Sequence, residues 1–366
     1  MKHFCMAPFV HVQKNSFNEF NPCCMFNKRI YHKHDSISSA FNSPENLELR
    51  KKMLNDEYID GCEKCYRDES LDKISYRQRF NDRYLDKGYV ENPKIKELEI
   101  ALSNKCNFKC VDCNTKFSSS WYNDDILLGR TFYTSKGRDV TFSIKDEDYE
   151  YLELNEIKIL GGEPFLEKRY LDIFKKIDVE NISLFFVTNN SIFPSIEWIE
   201  QLRKFKNVIF NISIDGVYDV AEFVRYGKKF SKFENNYDKW ISLNIKNMKI
   251  VPHYVFHSLN ILNFDDTINW LKIRHPNENI KNVLSYDFLM QPDMLNLSFL
   301  PEECKSLIID NIENFKDEIK SFLNTNQYQK EKCMELLKYY NFLNLRIDGP
   351  KQIERLMKCL RSILSK

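Results

Sequence analysis

The sequence predicts a parallel α/β core, preceded by a cysteine-rich segment and followed by helices. Three observations carry that reading: six short segments rich in Ile, Val, Leu and Phe, helix-length mixed stretches between them, and a carboxy-terminal region with helical periodicity only. In chain order, the first 90 residues contain Asn-Pro and Ser-Pro steps and five cysteines, Cys5, Cys23, Cys24, Cys62 and Cys65. A charged segment, 66–87, follows with six bases (Arg67, Lys73, Arg77, Arg79, Arg83, Lys87) among five acids (Asp68, Glu69, Asp72, Asp82, Asp86). Near-balanced signs at helical spacing read as a solvated face, not a nucleic-acid surface.

Strands are expected at 98–102, 156–160, 182–187, 208–214, 250–256 and 283–288. Pro252 cannot donate to a ladder, so the fifth strand is expected to begin after it or to lie at an edge. Beyond Pro301, Ile308, Ile312, Phe315, Ile319 and Phe322 recur at steps of four and three, as on a packed helix. Further stripes run through Cys333, Leu336, Leu337, Tyr340 and Leu343, and through Ile353, Leu356, Leu360 and Ile363. Boundaries near Pro93 and Pro301 divide the chain into 1–90, 91–300 and 301–366. No internal repeat is present.

Composition narrows the function. Of 366 residues, 54 Lys and Arg face 53 Asp and Glu for a net charge of +1, without the basic excess of a protein that coats nucleic acid. Aromatics make up 14%, too many for a disordered chain. No run of 18 apolar residues occurs, and the first residues offer no signal-peptide core, so the expectation is a cytoplasmic globular protein. Eight of the 11 cysteines lie in the first 113 residues. In a chain this long, metal ligation explains them better than a disulfide framework.

Directly after the first expected core strand, Cys106, Cys110 and Cys113 have the spacing C-x3-C-x2-C. Three thiolates on one loop hold three irons of a cubane and leave the fourth iron open, as a catalytic metal requires. The alternative is zinc with a fourth ligand from elsewhere. Gly161-Gly162-Glu163-Pro164 follows the second strand, Thr188-Asn189-Asn190 the third, and Ser213-Ile-Asp215-Gly216 the fourth. Taken singly these are turn and capping signals. Their succession at strand ends, where βα loops converge, gives them weight.

With these motifs the chain resembles the radical S-adenosylmethionine (radical SAM) superfamily. The resemblance implies a partial (β/α)6 TIM-like barrel and a 4Fe-4S cluster with an open iron on Cys106, Cys110 and Cys113. It further implies S-adenosyl-L-methionine bound there by Gly161, Gly162, Glu163, Thr188, Asn190, Ser213 and Asp215. Arg225 matches an arginine that relatives place near the cofactor carboxylate, although a helix-surface arginine is the plainer reading. Many relatives place an aromatic just before the third cysteine; this chain has Asp112 there and an aromatic at Phe108. The amino-terminal cysteines look like those of radical SAM proteins with a twitch domain, a module holding an auxiliary iron-sulfur cluster. Ser75-Tyr-Arg77-Gln-Arg79-Phe-Asn81 also fits that group. Four ligands are needed and five cysteines are present, so either Cys23 or Cys24 is spare, because adjacent side chains on an extended strand point apart. A structural zinc site is the alternative for this group. Cys304, Cys333 and Cys359 fall on or beside the apolar stripes and read as small core residues.

The function implied is reductive cleavage of S-adenosylmethionine to a 5'-deoxyadenosyl radical that abstracts hydrogen from a small-molecule or peptide substrate. An electron donor such as flavodoxin or ferredoxin is implied with it. The second reading is a binding protein that keeps the fold, with zinc or iron as a staple. The segments 121–143 and 286–301, with Tyr122, Tyr133 and Tyr286, are candidates for the substrate-facing surface. The catalytic residues themselves are not identifiable from the sequence.

Overall fold

The structure, a computed structural model, describes residues 2–27 and 34–365. Ten strands occur among them: β1 (His11–Lys14), β2 (Phe20–Asn21), β3 (Ile95–Ile100), β4 (Lys109–Cys110), β5 (Leu152–Ile159), β6 (Ser183–Thr188), β7 (Asn207–Ser213), β8 (Arg225–Tyr226), β9 (Met248–Phe256) and β10 (Ser285–Phe288). Eight form one sheet in the order β10-β9-β7-β6-β5-β3-β1-β2; β4 and β8 pair separately. Within the large sheet only the β1–β2 pair is antiparallel. From β3 onward each crossover moves one place in the same direction. Right-handed crossovers of that kind place their helices on one face, whereas a doubly wound sheet reverses direction.

All six expected core strands overlap observed ones. The sequence did not reveal β1, which lies in the cysteine-rich segment and pairs in parallel with β3, from His11 opposite Glu97 to Lys14 opposite Ile100. The sheet thus crosses the position near residue 90 where the composition changes. Pro252 does not displace the fifth strand to an edge, because β9 runs through it between β7 and β10. The carbonyl of His253 accepts the Ile214 N–H on the β7 side. Pro252 therefore turns its nitrogen the other way, where β10 begins only opposite His253, and no ladder bond is lost.

One sheet face is apolar and packs on helices. Ile100, Ile159, Phe186, Phe210, Ile212 and Phe256 are fully buried there. Trp240, from the helix Phe230–Ser242, meets Phe210 at 4.5 Å between ring centroids, and Phe165 meets Phe186 at 4.8 Å. Burying each such side chain contributes roughly 1.5–3 kcal/mol. The other face is polar: Gln13, Glu99, Lys158 and Phe185 stand in one cross-strand row. Gln13 donates to Glu99 at 2.6 Å, and Lys158 lies 3.6 Å from the same carboxylate.

The charged segment is not simply a solvated face. Its second helix, Tyr76–Tyr84, buries Phe80 and Tyr84. Tyr84 donates its hydroxyl to Glu97 at 2.9 Å, and Arg83 bridges Glu97 and Glu156. The carboxy-terminal stripes fall on four helices: Glu302–Asp310, Lys316–Leu323, Lys330–Asn344 and Lys351–Leu364. The first stripe is divided between two of them. The first helix ends at Asp310; in the link to the next, Asp265 accepts the N–H groups of Glu313 (2.8 Å) and Asn314 (3.1 Å), and Phe315 takes a left-handed φ of 54°. Among the described residues no helix is long and apolar enough to cross a membrane.

Candidate active site

The cysteine loop leaves the carboxyl end of β3 and is tied at both ends. Asn104 donates to the carbonyls of Thr115 (2.8 Å) and Arg138 (2.9 Å) and accepts the Val140 N–H. Five loop carbonyls are bonded to groups outside the loop. Lys105 O accepts from the Glu163 N–H (2.8 Å), Cys106 O from Ser120 Oγ (2.7 Å), and Phe108 O from Ser118 Oγ (2.6 Å). Cys110 O accepts from Trp121 Nε1 (3.0 Å), and Val111 O from the Tyr339 hydroxyl (2.8 Å). Carbonyl dipoles are so engaged elsewhere, and two of the three sulfurs receive donors instead, while Cys113 Sγ donates to Asn114 O at 3.6 Å. Asn189 Nδ2 lies 3.7 Å from Cys106 Sγ and Arg225 Nη1 lies 3.4 Å from Cys110 Sγ. Donors and positive charge around sulfur favour its anionic form.

The β4–β8 pair sets this geometry by placing Cys110 directly opposite Arg225. Arg225 is therefore no surface arginine. It is buried and ion-paired with Asp215, which also accepts the Val255 N–H at 2.8 Å. Burial alone would raise Asp215; the Arg225 charge and the Val255 N–H overcome it and hold the carboxyl below its usual range.

Gly161 and Gly162 bring the following loop against the cysteine loop. A Cβ at Gly162 would come within 2.2 Å of Lys105 O, and its φ is +36°; one at Gly161 would meet Ala101 Cβ at 2.5 Å. The glycines thus serve loop-to-loop contact as well as any ligand. Behind them Glu163 is fully buried, accepting from Thr188 Oγ1 (2.8 Å), Asn189 N (2.8 Å) and Phe165 N (3.2 Å). Of about four lone-pair sites on a carboxylate, one remains. Burial pushes its carboxyl up to about 7 despite those bonds. Asn190, at φ 58°, donates to Phe233 O at 3.0 Å, which leaves its buried Oδ1 without a partner. Ser213 ends β7 half-buried, opposite His253.

The residues present fit a cluster with three protein thiolates. Burial raises the Cys106 thiol, pushes Cys110 up to about 12 and holds Cys113 well above its usual range, so a metal would have to displace their protons. Donors stand beside Cys106 and Cys110, and Arg225 Nε is buried without a partner. Among the described residues no three His, Cys, Asp or Glu side chains converge to hold one metal ion. In a cubane each thiolate holds a different iron, so its ligands stand apart. Phe108 is buried and Asp112 half-buried beside Cys113.

The amino-terminal thiols separate into two groups. Cys5, Cys23, Cys62 and Cys65 border one cavity, together with Leu49, Met53 and Arg77. Ala7 N–H and Met25 N–H donate to Cys5 and Cys23 Sγ, each at 3.4 Å. Cys24 instead borders a cavity of about 240 Å³ under the polar sheet face, with His11, Tyr76, Glu99, Lys158 and Phe185. The chain turns at this point, so the two neighbouring thiols still hydrogen-bond each other.

Sequence reasoning missed several groups. His257 directly follows β9, is fully buried, and accepts the Leu259 N–H at Nδ1 (3.1 Å). Burial holds it down at about 4, so the ring is neutral at pH 7 with its proton on Nε2. Its place at the carboxyl end of a core strand was the available signal. Tyr339 and Trp121 carried none, since their partners are main-chain carbonyls. Tyr286 packs on Phe256 and Phe315.

Residues 100–271 match the family described as the Radical SAM superfamily. A curated relative, the probable GTP 3',8-cyclase of Methanocaldococcus jannaschii, is 26% identical over 182 residues, which cover 49% of this chain and 56% of that protein. The chain thus spans little more than half the length of that relative. Among solved structures, native anSMEcpe with bound AdoMet and Cp18Cys peptide aligns with TM-score 0.41 and 13% identity, covering 71% of this chain and 68% of that one. Streptococcus suis SuiB bound to S-adenosylmethionine aligns with TM-score 0.37 and 14% identity, covering 82% and 60%. Residues 100–271, a little under half of the chain, are thus the part that is similar to the radical SAM superfamily.

Proposed function

We propose that this protein is a radical SAM enzyme with a partial (β/α)6 barrel, an open-site 4Fe-4S cluster on Cys106, Cys110 and Cys113, and an auxiliary cluster in a twitch-like amino-terminal module. The observation that carries the reading is the cysteine loop itself: three thiols at the end of a core strand, with five neighbouring carbonyls bonded elsewhere and Arg225 and Asn189 on the sulfurs. When bound, the cluster supplies the electron that splits S-adenosylmethionine into methionine and a 5'-deoxyadenosyl radical.

The chain's own residues have the remaining tasks. Glu163, with one lone-pair site left, receives the cofactor's ammonium group, and a cation there restores the charge that burial suppresses. Asp215 and Arg225 neutralise each other and hold the 215–225 segment against Cys110. The cavity under the polar sheet face, lined by Glu99, Lys158 and Phe185, holds the substrate. Cys5, Cys23, Cys62 and Cys65 hold the auxiliary cluster, and Cys24, facing the substrate cavity, is the spare thiol. A soluble electron donor of the flavodoxin or ferredoxin kind completes the system in the cytoplasm.

The test is anaerobic reconstitution. Roughly eight irons per chain are expected from two cubanes. Deoxyadenosine should form only with reductant and cofactor, and replacement of Cys106, Cys110 and Cys113 by Ala together should abolish it while the amino-terminal iron remains. Deoxyadenosine from the triple variant would refute the assignment.

A further inference from the structure

We infer that Cys304 and Cys359 form a redox-modifiable thiol pair that crosslinks the first and last helices of the carboxy-terminal cap. All described cysteines are free thiols, and these two take no part in either cysteine site. Cys304 lies on the helix Glu302–Asp310 and Cys359 on Lys351–Leu364, 55 residues apart, yet their sulfurs stand 2.9 Å from each other in a hydrogen-bonded contact. A disulfide requires about 2.05 Å between the sulfurs. The third thiol of the cap, Cys333, is directed elsewhere, toward the Phe299 carbonyl at 3.4 Å.

Exposure divides the roles. Cys359 is half-buried and open to a small oxidant, whereas Cys304 is fully buried against it. Hydrogen peroxide, the oxidant class assigned, converts Cys359 to a sulfenic acid with release of one water. The Cys304 sulfur then attacks that sulfur, the S–O bond breaks, and a second water leaves. Overall two thiols and one peroxide give one disulfide and two waters. A reducing dithiol restores both thiols by exchange and is itself left as a disulfide.

The crosslink would form within the assembly that grips the cysteine loop. The last helix holds Lys330–Asn344 through the Tyr340 hydroxyl on Glu354 (2.7 Å), and Tyr339 of that helix holds Val111 O. The pair is independent of the proposed radical chemistry, since it rests on the cap alone.

Peptide mapping without reductant tests it on the full chain. After mild hydrogen peroxide treatment and alkylation, mass spectrometry should find the Cys304 peptide joined to the Cys359 peptide. Dithiothreitol should reverse the link, and the oxidised protein should melt several degrees higher. Cys359→Ser should lose the link and Cys333→Ser should keep it; both positions tolerate a small polar residue with little change in volume. Recovery of Cys304 and Cys359 as alkylated thiols when other cysteines have oxidised would overturn the inference, and so would a dominant link through Cys333.

Discussion

The cysteine loop and the amino-terminal cysteine group place thiols by opposite means. In the loop the three cysteines lie within eight residues of chain, and polar bonds from six residues on four segments hold them: Glu163, Ser118, Ser120, Trp121, Tyr339 and Arg225 each reach a loop carbonyl or sulfur. In the amino-terminal group the four thiols come from chain positions as far apart as Cys5 and Cys65. They meet around an apolar core of Phe4, Phe9, Leu49, Met53 and Ile59, with Arg77 the one charged residue lining their cavity among the described residues. Polar bonds are directional and fix orientation, which a cluster with an open position requires. Apolar packing is non-directional and fixes only proximity, which is enough where every ligand position is filled by the protein.

The contrast predicts which kind of substitution harms each region. In the loop, Arg225→Met should cost about 3–5 kcal/mol in urea unfolding of the metal-free protein, because Asp215 is left buried and uncompensated. Removing both charges with Asp215→Leu should recover most of that loss; an Arg225→Met cost below about 1 kcal/mol would show that the pair is not what holds the segment. In the amino-terminal group the corresponding damage should come from an apolar truncation. Met53→Ala is expected to cost about 2–5 kcal/mol and to lower iron retention at the proposed amino-terminal site, with the proposed loop cluster unaffected.

Glu163 gives the loop region a pH signature of its own. Its folded carboxyl is raised from 4.5 to about 7, so the folded protein favours the protonated form. The associated stability is fully present below pH 4.5 and is lost as pH rises through 7, by about 3 kcal/mol. Unfolding of metal-free Glu163→Gln across that window should show the fall removed; an unchanged profile would assign it to another group. Tyr339→Phe should cost about 1–3 kcal/mol by leaving Val111 O buried and unpaired, with faster amide exchange confined to the loop. The smallest effect is expected at the thiol that borders the other cavity. Cys24→Ser should leave iron content unchanged, whereas Cys23→Ser should lower it, and equal losses would contradict the separation of the two cavities.

Much of this was legible residue by residue. The six core strands show in the sequence because both requirements on them are local: β-branched and aromatic content, and turns at their ends. The loop cysteines and Gly161-Gly162-Glu163 show because each follows such a strand. What stayed hidden was whatever depended on a partner far along the chain. β1 is four residues long with a lysine and a glutamine among them, and only pairing with β3 makes it a strand. Phe315 sits in an unbroken apolar stripe, yet the helix before it has ended at Asp310, and Asp265 holds the link between the two helices at Glu313 and Asn314. Arg225 reads equally as surface or site until β8 pairs with β4.

The sequence by itself determined the parallel core, the contiguous cysteine motif and the strand ends at which polar residues gather. These follow from periodicity and spacing, which are properties of neighbouring residues. Tertiary structure alone decided that Cys23 joins Cys5, Cys62 and Cys65 while Cys24 borders the sheet cavity, that Arg225 meets Cys110, and that Cys304 meets Cys359. Each of those is a choice among side chains of the same kind. Only the three-dimensional path of the chain brings one of them, and not its neighbour, within bonding distance.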